Sequence, residues 1–210
     1  MSTDAPLLDL PSSVARTHHA LAAEPVETIE AFLEQGGLRG LEVARGRSPE
    51  ATIDEIAAAG VRGRGGAGFP TAIKWRSLRN AIGPDDAGFV VINAAEGEPG
   101  TFKDRALLRT NPYLVLEGAL IAAHTLGVPR IVVATKARYQ RELERLRAAV
   151  AELDAVGALG EAWIELVEGP DHYLFGEETA LLEVIEGEDP LPRHLAPYDY
   201  GLFTTSPQLG

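Results

Sequence analysis

The chain has 210 residues, 45% of them hydrophobic and 24% charged, enough for one α/β domain with a core and a small appendage. Its net charge of −12 excludes the basic surface on which nucleic-acid and anionic-lipid binding depend, so a phosphorylated ligand must be held by local backbone amides and a few cations. The absence of cysteine excludes disulfides, thiolate zinc sites, Cys-ligated iron–sulfur clusters and a Cys nucleophile within these residues, and the five histidines (His18, His19, His124, His172, His194) fall in no metal-ligand spacing.

Residues 1–24 read as a tail of small and polar residues without a period. They contain no basic stretch followed by an apolar one, and no apolar run in the chain approaches the roughly 20 residues that span a bilayer. The expected compartment is the cytoplasm, with no direct membrane insertion. A short helix is predicted near Val26–Glu34, ended by Gly36-Gly37. A second follows Ser48 as N-cap and Pro49 at the first helical position, with Ile53, Ile56 and Ala57 on one face and Gly60 behind it. The cluster Gly63-Arg64-Gly65-Gly66-Ala67-Gly68 is too rich in glycine for helix or strand and reads as a loop.

Beyond the loop, strands and helices alternate. Phe89–Ile92 is a continuous apolar run of the kind found in buried parallel strands. Asn111-Pro112 opens a helix to about Leu126, with Gly127 behind it. Arg130–Ala134 is the next strand, Arg138 to about Leu153 an amphipathic helix, Trp163–Val167 a third strand, and Glu177–Glu186 a helix ended by Gly187. That order predicts an α/β fold: a Rossmann-like parallel sheet with helices on both faces, preceded by a short helical N-terminal segment. Glu188–Gly210 carries four prolines and no period. No closing element precedes Gly210, which gives the chain the look of a fragment.

Two segments carry chemistry. Gly63-x-Gly65-x-x-Gly68 matches the dinucleotide fingerprint in letters but not in setting, because a helix precedes it and no acidic residue about 20 positions on stands at the end of a second strand. It is either a tight surface turn or a phosphate-wrapping loop, the latter favoured by Arg62, Arg64 and Lys74 around it. Trp75 is either core or, with Phe69, a ring beside that loop. The second segment, Asn93-Ala94-Ala95-Glu96-Gly97-Glu98-Pro99-Gly100, sits at the carboxyl end of the first strand, the edge where open α/β sheets bind ligands. Asn93 offers donors and an acceptor, and Glu96 and Glu98 place two carboxylates within one turn. The alternative is a solvated acidic turn, with Lys103, Asp104 and Arg105 as surface ion pairs.

Gly63 through Trp75 resembles the flavin-binding segment of the NADH dehydrogenase flavoprotein subunit family, the 51-kDa subunit of respiratory complex I. Asn93–Glu98, with Pro99-Gly100 and Lys103-Asp104-Arg105, is similar to the family's second motif, and Tyr173–Leu181 to its third. The resemblance covers about residues 26–210. It implies FMN as cofactor and NAD(H) as substrate. Gly63, Gly65, Gly66, Gly68 and Lys74 would hold FMN, with Asn93 and Glu96 on the flavin or its ribityl chain. Tyr173, Gly176, Glu177 and Glu178 would close the site from the other side, and Phe69, Glu98 and Tyr198 would contact NADH. The family's aromatic shortly after the Lys-Trp pair is Ser77 here, an Asp of the second motif is Ala95, and a Cys of the third is Phe175.

The expected organisation is thus a disordered tail over residues 1–24 and a helical segment over 25–61, followed by 62–210, which the resemblance implies is an FMN/NADH-binding α/β domain truncated at its C-terminal end. A [4Fe–4S] cluster is expected only in a further C-terminal domain. The implied reaction is hydride transfer from NADH to FMN, with no protein nucleophile and electrons passed on to an iron–sulfur chain. The implied partners are iron–sulfur subunits of a multisubunit oxidoreductase, among them a thioredoxin-like [2Fe–2S] subunit, which would give the chain a peripheral place at the inner membrane face. Three other readings remain open: the same module in an NAD-dependent formate dehydrogenase or hydrogenase, a non-catalytic assembly module with an incomplete flavin site, and an unrelated α/β nucleotide-binding protein.

Overall fold

A computed structural model of the chain describes residues 21, 24–82, 88–194, 197 and 202. The 1–24 tail expected from the sequence, with His18 and His19, falls almost wholly outside the described residues, as does Tyr198. Three parallel strands, β1 (Phe89–Asn93), β2 (Arg130–Lys136) and β3 (Trp163–Gly169), form a sheet in the order β1-β2-β3. The register pairs Phe89 with Arg130 and Arg130 with Trp163, and the Arg130 guanidinium lies 5.2 and 5.3 Å from those two rings.

The crossovers are α6 (Pro112–Leu126), between β1 and β2, and α7 (Gln140–Ala155), between β2 and β3. One sheet face, with Val90, Ile92, Ile131, Val133, Ile164 and Leu166, packs into the main core with these two helices. The alternate residues Val91, Ala134 and Val167 turn to the other face. There they meet Leu181, Val184 and Ile185 of α8 (Glu178–Glu186) and the buried Phe175. Helices therefore cover both faces, as the alternating element order requires.

Several helix and strand limits shift by one to three residues from the sequence reading. The first helix, α1 (Ile29–Glu34), begins three residues later than expected, because Thr28 caps it and Val26 N–H instead donates to Thr110 O at 2.7 Å. β2 and β3 each run two residues further. α7 starts at Gln140 because a turn bond from Tyr139 N–H to Lys136 O (2.9 Å) intervenes. α3 (Pro49–Ala58) and α6 start at the predicted caps, Ser48 and Asn111.

Three helices depart from the sequence reading altogether: α2 (Arg39–Arg45), α4 (Thr71–Ala81) and α5 (Lys103–Thr110). α4 takes up the second half of the first motif. Its Ala, Lys, Arg and Leu residues are good helix formers, and Trp75, Leu78 and Ile82 recur at helical spacing. α2 contains Gly40 and follows Leu38 in a left-handed conformation (φ 64°), so its local sequence argues against it. It is set by a distant residue: the Glu117 carboxylate on α6 accepts the N–H groups of Leu38 and Leu41, both at 3.1 Å. Apolar on nearly every side, α6 is buried between the sheet and the N-terminal helices.

Candidate functional site

The glycine loop hangs from a closed neck. Gly63 N–H donates to Phe69 O at 2.8 Å, Thr71 N–H to Val61 O at 3.0 Å, and the Arg62 guanidinium to Gly68 O at 3.1 Å. Gly66 (φ 108°) and Gly68 (φ 61°) occupy the left-handed region that other residues avoid. A Cβ built at Gly65, Gly66 or Gly68 would meet nothing within 4 Å, so the loop presents bare, open backbone. It feeds directly into α4, whose start has no side-chain cap and no acidic residue in its first turn. The first turn of that helix thus carries Lys74 and no carboxylate of its own.

A cavity of about 580 Å³ opens between α4, β1 and α8. Gly65, Lys74, Asn93 and Glu178 line it, together with Trp75, Leu78, Phe89, Val91, Leu181 and Leu182. Four site candidates from three separate motifs therefore share one space. Lys74 Nζ stands 3.9 Å from Glu178 Oε1, an exposed pair that adds little to stability but joins α4 to α8. Trp75, whose role the sequence leaves open, is half-buried against this cavity.

Beside the cavity, the second and third motifs are clamped together. Asn93 Nδ2 donates to Gly176 O at 2.8 Å while its Oδ1 accepts from Ala95 N–H at 3.2 Å. The two backbones approach so closely that a Cβ at Gly176 would lie 2.8 Å from Ala95 O, and one at Gly97 would lie 2.9 Å from Tyr173 O. Further out, the Tyr173 hydroxyl donates to Glu98 Oε2 at 2.7 Å. That hydrogen bond and the carboxylate charge hold the phenol above its ordinary pKa. Tyr173 (60% exposed) and Phe69 (52% exposed) face solvent, as does Glu98.

Glu96 and Glu177 are already committed within the fold. The Glu96 side chain, 3% exposed, accepts from Arg105 Nε at 3.1 Å and from Asp104 N–H at 3.3 Å, anchoring the start of α5, and its carbonyl accepts from the Tyr139 hydroxyl at 2.8 Å. Burial pushes this carboxyl up, but Arg105 and the N–H groups of Asp104 and Arg105 outweigh it and hold the group below its ordinary value. Glu177 is the N-cap of α8, accepting from Ala180 N–H at 2.9 Å and the Thr179 hydroxyl at 2.6 Å. Burial again raises the carboxyl and those donors more than offset it, leaving it lowered. The acidic turn is thus neither wholly a ligand surface nor a solvated one: Glu96 is internal and Glu98 is exposed. Among its neighbours, Lys103 and Asp104 form a surface pair at 2.7 Å, whereas Arg105 is drawn inward by Glu96.

Two of the three departures from the family pattern meet. Ala95 and Phe175 belong to one buried apolar cluster, and the Phe175 ring occupies the space where Gly169 lacks a Cβ. Ser77 lies exposed on α4. Sequence reasoning does not find the apolar wall made by Leu78, Leu181 and Leu182, although the helical spacing of Trp75, Leu78 and Ile82 carries the signal for part of it. It also passes over Lys136, buried at the carboxyl end of β2 and paired with Asp171 at 3.3 Å.

Residues 56–206 match the family model described as the Nuo51 FMN-binding domain. The chain is 38% identical over 181 residues to an NADH-quinone oxidoreductase subunit of Aquifex aeolicus (strain VF5), and 37% identical over 182 residues to the corresponding subunit of Rhodobacter capsulatus. These alignments cover 82% and 83% of this chain but 42% of each relative, so the chain spans well under half the length of these curated relatives. Among solved structures, an NAD+-reducing [NiFe]-hydrogenase in the H2-reduced state superposes with a TM-score of 0.70 at 36% identity, covering 87% of this chain and 30% of that one. Motifs, fold and cavity agree with these likenesses: the chain belongs to the family of the Nuo51 FMN-binding domain.

Proposed function

We propose that the chain holds FMN in the cavity between α4, β1 and α8 and, within a larger subunit, serves NADH oxidation by hydride transfer. The observation that carries this reading is the convergence of Gly65, Lys74, Asn93 and Glu178 on one cavity. The residues present fit the group. The volume lies within the roughly 300–1,000 Å³ of cofactor sites. Trp75, Leu78, Val91 and Leu181 suit the faces of a flat ring system, and Asn93 suits its polar edge. The open backbone of Gly65, Gly66 and Gly68, held on a neck closed at Gly63, suits a phosphate, with Lys74 supplying a cation.

Bound FMN would supply the redox chemistry, in which NADH, FMN and a proton give NAD+ and reduced FMN, whose two electrons leave for iron–sulfur centres. The protein's part is to bind and orient. The clamp of Asn93 on Gly176 fixes the polar edge, Glu177 holds the start of α8, Glu178 lines the cavity, and Tyr173 is assigned to closing the site from the side of the third motif. Glu96 acts from beneath by fixing the turn. Phe69, Glu98 and Tyr198 are assigned to NADH, where the acidic Glu98 favours the cationic oxidised nicotinamide. No residue is assigned a nucleophilic or acid–base role.

The partners proposed are iron–sulfur subunits, including a thioredoxin-like [2Fe–2S] protein, in a cytoplasmic or membrane-peripheral assembly. Among the described residues no helix is long and apolar enough to cross a membrane. The likeness to an NAD+-reducing hydrogenase favours a second reading, in which the same site works toward NAD+ reduction. Titration of the chain with FMN, followed by flavin fluorescence, tests the site. One equivalent is expected to bind, and Lys74→Ala to weaken binding about tenfold, equivalent to about 1.4 kcal/mol. A folded chain that takes up no FMN, or binds it equally well without Lys74, contradicts the assignment.

A further inference from the structure

One wall of the cavity comes from outside the three motifs. Pro197 and Leu202 contribute to the lining, from the stretch beyond α8 whose sequence has no period, and Leu202 is 8% exposed. Arg193 stands where that stretch leaves α8, with its side chain 5% exposed. Its Nε lies 2.9 Å from Glu183 Oε1 and its Nη2 lies 2.9 Å from Glu186 Oε1, both carboxylates belonging to α8. These contacts are close in distance but not aligned as hydrogen bonds. The well-aligned bond of the side chain runs from Nη1 to the carbonyl of Leu202, at 2.9 Å. The Arg193 backbone N–H donates to Thr179 Oγ1 at 3.2 Å, and that hydroxyl donates in turn to the Glu177 cap.

An arginine buried between two carboxylates is costly to desolvate, and covering α8 does not require one. Its geometry serves something narrower. Glu183 and Glu186 sit three residues apart on one helix face and hold the guanidinium between them by charge, while Nη1 makes its aligned bond to a single backbone carbonyl. The same helix presents Glu178, Leu181 and Leu182 to the cavity. We infer that Arg193 is a positioning residue of the cofactor cavity: it ties the Leu202 carbonyl to α8 and so holds Leu202 in the apolar wall shared with Trp75 and Leu181. The inference rests on the flavin reading only for its effect on FMN, not for the tie itself. Lysine cannot replace this arginine, because one ammonium cannot satisfy three partners spread around a planar fork.

The chain has two tryptophans, so Trp163→Phe leaves Trp75, on the cavity wall, as the only reporter. In that background Arg193→Lys and Arg193→Gln are expected to raise acrylamide quenching of Trp75 while the far-UV circular dichroism stays native. FMN binding is expected to weaken about tenfold in both variants. Leu202→Ala added to Arg193→Gln is expected to cost little beyond either change alone, a non-additivity that general loosening does not produce. Native spectra with unchanged Trp75 quenching, or additive losses in the double variant, overturn the inference. Should Arg193→Gln fail to fold, Glu183→Gln keeps the shape of the cluster and must show the same quenching change for the inference to stand. The quenching needs no ligand, so if the wild-type chain binds no FMN the flavin assignment falls while the role of Arg193 is still decided.

Discussion

Gly176→Ala is expected to remove FMN binding almost completely while the chain still folds. The added Cβ would sit 2.8 Å from Ala95 O, a backbone atom that a rotamer change cannot clear. The turn from Leu174 to Gly176 and the strand end at Asn93–Ala95 must therefore move apart by a sizeable fraction of an ångström. Asn93 loses its bond to the Gly176 carbonyl in the process, and Glu177, one residue on, is the cap of α8. Displacements of about 1 Å in a site of oriented groups cost on the order of 100-fold, and a loss of that size in FMN affinity is expected. The fold should survive, because the main core lies on the opposite sheet face. Isothermal titration of wild type and variant, with thermal melts beside it, measures both quantities. Affinity within a few-fold of wild type would mean that the contact between the second and third motifs does not shape the site.

The second large effect is on stability and lies far from the cavity. Glu117→Leu is expected to destabilise the chain by about 3 kcal/mol, since each charge-assisted hydrogen bond contributes about 1.5–3 kcal/mol and each buried orphan donor costs a further penalty. Two donors are at stake, the N–H groups of Leu38 and Leu41. Both lie in the buried seam between α2 and α6, and the carboxylate has room only because residue 40 is glycine, where a Cβ would fall 2.9 Å from Glu117 Oε1. Glu117→Gln keeps the shape and one acceptor and should lose less. Urea denaturation reads the difference as a lowered midpoint at constant slope. Equal midpoints for the Glu117→Leu variant and the wild-type chain would show that α2 is held by packing alone.

The contrast between these two positions shows what is legible in the sequence. Elements with local punctuation are read closely: Ser48-Pro49, Asn111-Pro112 and Gly187 mark helix ends by caps and left-handed glycines. The three strands stand out as apolar runs, with limits off by one or two residues at their C-terminal ends. α2 is illegible because its start is satisfied by a carboxylate 76 residues away in sequence. α4 is masked by the glycines before it, although Trp75, Leu78 and Ile82 carry a helical period.

The site divides in the same way. Gly65, Lys74, Asn93 and Glu178 are marked by motifs and share the cavity. Glu96 and Glu177 are marked too, but their carboxylates are taken up within the fold, Glu96 buried against Arg105 and Glu177 capping the first turn of α8, and no pattern of letters distinguishes a committed glutamate from a free one. Arg193 leaves no signal, because its partners Glu183, Glu186 and the Leu202 carbonyl come together only after α8 has formed.

Anaerobic addition of NADH to the FMN-loaded chain, followed in the flavin's visible absorption band, decides whether this site transfers hydride. The band is expected to bleach, with NADH consumed in proportion to bound FMN, and Glu98→Gln is expected to slow the bleaching without releasing the flavin. Bound flavin that stays oxidised in excess NADH would contradict that expectation, and would leave the chain as a flavin-holding module without a working hydride-transfer site.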